Sequence, residues 1–391
     1  MKKWLWLLGA SVLLIACAAF VVWMLHSLMP RNEHKTNPSS TSAPIAKPSY
    51  ADEQLNKMSL RDKVASLFIF HRAGVDPSQL RSYMTTYKPG GFIFMGDNIP
   101  NTPQQLQAIT SGMVVDTSLP PLLAIDEEGD TVRRLVADTF PGALTLPNLP
   151  PQATKDAFEK RSDLVKSMGL NLNFGIIADV TNNPTSFIFP RVLGTTPDQA
   201  AAHVSQAVAG SKGRTLATLK HFPGHGETGA DSHSSIPTTQ ITYDEWSQKD
   251  MIPFKAGIDA GADLVMFGHL RYSAVDTVPA SLSKKWHTIL RNTLGFKGLA
   301  ITDDMIMLQN SGDGAYMDPV SNAVSAIEAG NDLLLFVLDH GDPASQIDPN
   351  TLIDGVVAAV QRGQMSESVI NDHARAVLGV RHSIATSNDK R

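Results

Sequence analysis

Short apolar runs, each followed by an amphipathic segment, recur eight times along this chain, and no other feature narrows the fold as far. The runs occupy 65–71, 91–95, 122–126, 172–178, 216–220, 264–268, 299–302 and 333–337. Between them, helical periodicity predicts helices over 77–87, 102–113, 155–168, 200–210, 243–260, 283–294 and 322–329, with glycine at helix ends such as Gly261, Gly295 and Gly330. Apolar runs alternating with amphipathic helices are the pattern of a parallel sheet covered by helices. Eight such units predict one α/β domain, a single (β/α)8 TIM-type barrel over 52–383, followed by a polar tail, 384–391. A doubly wound sheet shares the same periodicity and is the alternative.

The N-terminal fifty residues are of another kind. Lys2 and Lys3 precede an apolar stretch from Trp4 to about Leu25, interrupted only by Gly9 and Ser11, which is long enough for a helix to cross a bilayer. Basic residues ahead of it favour an N-inside orientation. The stretch continues through Phe20 to Leu25 without a small-residue cleavage site, so segment 1–29 reads as an uncleaved membrane anchor rather than a cleaved signal. The competing reading is a lipoprotein signal, because Leu14-Ile15-Ala16-Cys17 resembles a lipobox whose cysteine is lipidated. A linker rich in Pro, Ser and Thr, 30–51, follows. Both readings place the barrel outside the cytoplasm, at the cell envelope.

Charge and cysteine usage exclude several chemistries. Net charge is -5, split into +4 over the first fifty residues and -9 over the rest, and an acidic body argues against a nucleic-acid partner. Cys17 is the single cysteine, which leaves the barrel without a disulfide, a thiolate metal site or a cysteine nucleophile.

In such a barrel the chemistry gathers where strands end. The residues at those positions are His71, Asp126-Glu127-Glu128, Asp179, Lys220-His221, His269 and Asp303-Asp304, a polar set suited to a polyhydroxylated or charged ligand. For His269, packing and ligand contact are equally good readings. The densest stretch runs from Lys220 to His233 and holds His221, His225, His233, Glu227 and Asp231. Helical zinc spacings are absent, and Pro223, Gly224 and Gly226 make it a loop, which argues against a metal there. In extended chain, residues two apart share a direction, so Asp231 can hold the His233 imidazole and stabilise its protonated form, a tunable proton donor. The same triplet could simply cap a surface turn. Downstream, Thr302-Asp303-Asp304-Met305 brings two carboxylates to a strand end, where one can face the mouth and act as a nucleophile. The plainer reading makes Asp304 a helix N-cap and Asp303 its solvated neighbour.

Taken together, Lys220-His221-Phe222-Pro223-Gly224-His225-Gly226, Asp231-Ser232-His233 and Thr302-Asp303-Asp304-Met305 resemble glycoside hydrolase family 3, in its single-domain β-N-acetylhexosaminidase branch. Further likeness lies in Gly90-Gly91-Phe92-Ile93-Phe94, in Asp126-Glu127-Glu128-Gly129 with Val132 and Arg134, in Asn173-Phe174 with Asp179 and Val180, in Arg191 with Gly194, and in Ala280-Ser281-Leu282-Ser283. Two positions depart from the pattern: Asp130 stands where a second glycine is common, and Val192-Leu193 replaces Ser-Phe.

The resemblance implies retaining hydrolysis of terminal β-linked N-acetylglucosamine, and together with the expected envelope placement it points to peptidoglycan fragments as substrate. Asp303 would be the nucleophile and His233, supported by Asp231, the acid/base. Asp126, Arg134, Arg191, Lys220 and His221 would hold sugar hydroxyls. No metal and no organic cofactor is implied, and a monomer is expected, with the membrane as partner only through the N-terminal segment. Other readings are phosphorolysis by the same residues, a non-catalytic envelope sugar-binding protein, and a metal-dependent hydrolase with His225, Asp231 and His233 as ligands.

Overall fold

The computed structural model describes residues 49–388. The candidate anchor, 1–29, with Cys17, and nearly all of the linker lie outside the described residues. Among the described residues no helix is long and apolar enough to cross a membrane.

Eight parallel strands close a barrel: β1 (Phe68–Phe70), β2 (Gly91–Phe94), β3 (Leu122–Ile125), β4 (Leu172–Ile177), β5 (Leu216–Phe222), β6 (Leu264–Phe267), β7 (Leu299–Asp304) and β8 (Leu333–Phe336). Each pairs with its neighbours in chain order, and the ring closes where Phe68 and Phe70 of β1 register with Leu334 and Phe336 of β8. This is the (β/α)8 arrangement, and the doubly wound alternative is set aside. Every expected run coincides with one strand. The β1 run is the one most shortened, because the residues before it form a helix, Leu60–Ala65, capped by Ser59, whose hydroxyl accepts from the Asp62 N–H.

Helix starts follow local chemistry. Pro77, Pro103, Pro197 and Pro319 open their helices directly behind Asp76, Thr102, Thr196 and Asp318, whose side chains accept first-turn N–H groups. The expected helix 243–260 is two helices, Tyr243–Gln248 and Met251–Asp259, broken at Lys249 and Asp250. Two boundary expectations are corrected. The linker ends earlier than residue 51, because Ser49 and Asp52 form a reciprocal capping box that starts a helix at Tyr50. The polar tail is not separate from the barrel at 384: the last helix, Glu367–Asn388, continues through it. Packing explains this, since Ile384 lies against the core, the Arg381 guanidinium donates to the Leu119 and Pro120 carbonyls, and the His382 ring stacks 3.7 Å from Tyr50.

Two large apolar clusters hold the domain. One spans β1 to β3 and β8 with the terminal helices; the other gathers around β5 and β6. At its centre Phe222 meets Trp246, Phe254, Phe267 and Trp286 edge-on, with ring centroids 5.0 to 5.9 Å apart. That anchor fixes the end of β5 immediately beside Lys220 and His221. The strand pairing is irregular near Asn173/Ile176, Leu219/Phe222 and Leu333/Leu335.

Candidate active site

β5 and β7 both run two residues past their expected ends, so Lys220-His221 and Asp303-Asp304 are strand residues with fixed directions. The Lys220 ammonium lies 2.7 Å from Asp126 Oδ1 and 2.8 Å from Glu128 Oε1. Glu128 in turn receives Arg191 through Nε at 2.9 Å and Nη2 at 2.7 Å, a bidentate pair. Burial would raise the Glu128 carboxyl, but Lys220 and Arg191 outweigh it and hold the group at about 2. Burial likewise opposes the charge on Lys220, and Asp126 with Glu128 overcomes it, so the ammonium is held above its ordinary range.

A second chain of contacts leads from this network to Asp303. Arg191 Nη2 stands 3.5 Å from His221 Nε2, and His221 Nδ1 lies 2.8 Å from the fully buried Asp179. Asp179 also accepts the backbone N–H groups of His221 and His225. On the far side, His221 Nε2 is 4.0 Å from Asp303 Oδ2, while Asp303 Oδ1 accepts the Asp304 N–H at 2.8 Å. Burial alone would raise the Asp303 carboxyl; His221, His269 and Lys220 reverse this and hold it at about 2. The group therefore stays anionic while its side chain keeps 18% of its surface exposed.

Asp304 has a different job. Its Oδ1 accepts the Val337 and Ile306 N–H groups, tying β7 to β8, and burial pushes it up to about 7. It spans two backbone segments rather than capping a helix alone. His269 braces the same point: Nε2 donates to the Asp304 carbonyl at 2.9 Å and Nδ1 accepts from Ser281 at 2.7 Å. With both nitrogens engaged and the ring buried, packing is the reading that holds for His269.

The expected pair forms: His233 Nδ1 is 2.7 Å from Asp231 Oδ1, which also accepts the His233 backbone N–H. Burial is the largest single influence on Asp231 and raises it, but the contacts to His233 together outweigh it and hold the carboxyl below its ordinary range. The pair is open to solvent, with His233 63% exposed, and no direct contact joins it to Asp303. Its link inward is Phe187, whose ring meets His233 at 5.7 Å and His225 at 5.8 Å and carries the Arg191 guanidinium at 5.9 Å. Glu128 and Asp179, marked in the sequence only as strand-end residues, are central to the site, and Phe187 joins them although no short-range pattern marks it.

Arg134 is the expected residue left apart from the Lys220 network. Its side chain lines a cavity of about 490 Å3 with Ile99, Leu106 and Met168, and its Nε is buried without a hydrogen-bond partner. Its loop is held from beneath by Arg161 and Asp138, a fully buried pair at 2.6 Å. Asp130, at the position where glycine is common, adopts a left-handed φ of 43°, and its Oδ2 accepts the Leu144 N–H. An aspartate tolerates that conformation better than most residues, and the side-chain bond offsets the strain.

Glu127, fully buried under this loop, accepts the Arg134 and Leu135 N–H groups through Oε2, while Oε1 has no donor and Asp138 lies beside it. Burial pushes its carboxyl from 4.5 up to about 8. A raised carboxyl contributes stability below its unfolded value and loses it as pH rises through the folded one. Glu127→Gln, which places a permanent N–H2 toward Asp138, should therefore gain stability relative to wild type as pH goes from 5 to 8. Urea unfolding of both proteins at the two pH values measures this; a difference that does not change with pH would refute it.

Comparisons with known proteins give the family. The family model "Glycosyl hydrolase family 3 N terminal domain" matches residues 59–380. Beta-hexosaminidase LpqI of Mycobacterium tuberculosis is 30% identical over 92% of this chain and 93% of its own length. Beta-hexosaminidase A of Pseudoalteromonas piscicida is 31% identical over 66% of this chain, which spans 47% of that relative's length. Among solved structures, a glycoside hydrolase family 3 beta-N-acetylglucosaminidase from Paenibacillus sp. str. FPU-7 superposes with a TM-score of 0.75 at 28% identity, covering 85% of this chain and 63% of the other. With most of its length matched by the family model, the chain belongs to glycosyl hydrolase family 3 and is a glycoside hydrolase.

Proposed function

We propose that this chain is a retaining exo-β-N-acetylhexosaminidase that removes terminal N-acetylglucosamine from peptidoglycan fragments at the cell envelope. The observation that carries the reading is the Asp303 carboxyl, held at about 2 beside His221 and Lys220 at the end of β7. An anion kept free of protons at the mouth of a barrel is a nucleophile suited to an anomeric carbon. Asp303 attacks that carbon as His233 protonates the departing oxygen, giving a glycosyl ester on Asp303. The imidazole, now neutral, takes a proton from water, which releases the sugar with its configuration retained. Anionic Asp231 favours the imidazolium needed in the first step.

Substrate hydroxyls meet a site rich in donors. Lys220, His221 and Arg191 present them and Asp126 accepts. Closure of the 225–233 loop over the bound sugar brings His233 to the glycosidic oxygen. The names of the relatives support the N-acetylhexosamine. The basic-apolar N-terminus supports the envelope placement.

Phosphorolysis is the second reading, because a histidine acid/base repels an incoming phosphate less than a carboxylate does. Hydrolysis of an aryl β-N-acetylglucosaminide against an aryl β-glucoside, with and without phosphate, tests all of this on the full-length chain. Free sugar from the first substrate only is the expected result. Sugar phosphate would convert the reading to the second, and equal rates on both glycosides would remove the assigned specificity.

A further inference from the structure

The barrel seam carries a cluster that the proposed reaction does not use. β1 pairs with both β2 and β8, so the loops leaving these three strands meet on the catalytic face. His71 comes from the first, Asp97 from the second and His340 from the third. His71 Nε2 lies 2.8 Å from Asp97 Oδ1, and His340 Nδ1 lies 3.0 Å from Asp97 Oδ2. One ligand atom from each of the three residues can be chosen so that all lie within 4.8 Å of one another.

The protons on His71 decide what this cluster is for. Its Nδ1 lies 2.5 Å from the Leu338 carbonyl oxygen, which can only accept, so Nδ1 carries the hydrogen. In the neutral ring, Nε2 is then a lone pair aimed at a carboxylate oxygen. Two acceptors facing each other at 2.8 Å require something positive between them. A ring nitrogen fixed by an N–H bond to a backbone carbonyl, with the other nitrogen free, is also how metal-bound histidines are oriented.

The surroundings are prepared for a fixed geometry. Asn98 is fully buried; its Oδ1 accepts the Met95 N–H, and its Nδ2 donates to the Ile93 carbonyl, which sets the turn bearing Asp97. Ser345 accepts the His340 N–H through its hydroxyl and the Asp339 N–H through its carbonyl, setting the turn bearing His340. His71 is fully buried while His340 and Asp97 are 41% and 34% exposed, so the cluster is closed beneath and open to water above.

We propose that His71, Asp97 and His340 bind one zinc-class divalent cation, which staples the first and last strands of the barrel at its seam. Two imidazole nitrogens and one carboxylate oxygen are a donor set that zinc accepts, with a fourth position left for water. Bonds of about 2.0–2.1 Å in a tetrahedral site place ligand atoms roughly 3.3 Å apart, so the two contacts to Asp97, at 2.8 and 3.0 Å, open by a few tenths of an ångström, and the widest spacing in the set, at most 4.8 Å, closes toward that value on binding. Magnesium and calcium, which prefer oxygen, are excluded by the same set.

The test uses Co2+ and Zn2+ on the metal-stripped full-length chain and reads binding, not turnover, so its outcome is independent of the proposed activity. One equivalent of Co2+ should give the intense visible bands of a four-coordinate nitrogen/oxygen site, Zn2+ should bleach them, and Zn2+ should raise Tm. His340→Ala, at a partly exposed position, should weaken Zn2+ binding by roughly 100-fold or more, above the usual range for outer partners. Asp97→Asn should also weaken it, whereas His233→Ala should leave it unchanged. Absence of cobalt bands, or equal binding by the His340→Ala protein, overturns the proposal and leaves a proton as the positive element between His71 and Asp97. Loss of binding in the His233→Ala protein instead places the metal at the sugar site and overturns it equally.

Discussion

Asp303→Asn is expected to reduce kcat on an aryl β-N-acetylglucosaminide by a factor on the order of 10^4 to 10^6, the range seen when a nucleophile is removed. The variant keeps the shape of the site, because the asparagine carbonyl can still accept the Asp304 N–H at the place where Asp303 Oδ1 does. What disappears is the negative charge facing His221 and Lys220 and the oxygen that forms the glycosyl ester. Folding is checked separately by the thermal transition, which should move little. A small anion such as azide should partly restore turnover with an activated substrate, giving a glycosyl azide of inverted configuration, since it attacks where Asp303 would. A variant retaining a tenth of wild-type activity would show that Asp303 is not the nucleophile.

His233→Ala should cost about 10^2 to 10^4 in kcat/KM with disaccharide substrates, the usual worth of a positioned proton donor. With an aryl leaving group of low pKa, which departs without protonation, the first step should be nearly spared and the loss concentrated in release of the sugar. The glycosyl-enzyme then accumulates, visible as a burst of aryl alcohol followed by a slow steady state. His221→Ala provides the contrast. His221 is the imidazole nearest to Asp303 and is clamped by buried Asp179, so its loss should depress both substrates alike through the charge and position of Asp303. If His221→Ala, rather than His233→Ala, discriminated between leaving groups, the proton donor would be the buried histidine and the exposed pair would serve the loop alone.

The positions of the strands could be read because they rest on local rules. Apolar runs of strand length between amphipathic segments need no knowledge of partners, and each expected run coincides with an observed strand. The place of Asp303 at a strand end and the contact of Asp231 with His233 were legible for the same reason: one closes an apolar run, and the others sit two residues apart. The helix break at Lys249–Asp250 and the continuation of the last helix to Asn388 were not, because distant packing decides both. The hold of Arg191 on Glu128, the Asp179 clamp on His221 and the turn of Asp304 toward β8 join positions 63, 42 and 33 residues apart. His340 and Asp97, separated by 243 residues, become neighbours only when β8 closes on β1. Periodicity is a property of short stretches of chain, whereas ion pairing and proton affinity depend on which groups barrel closure buries together.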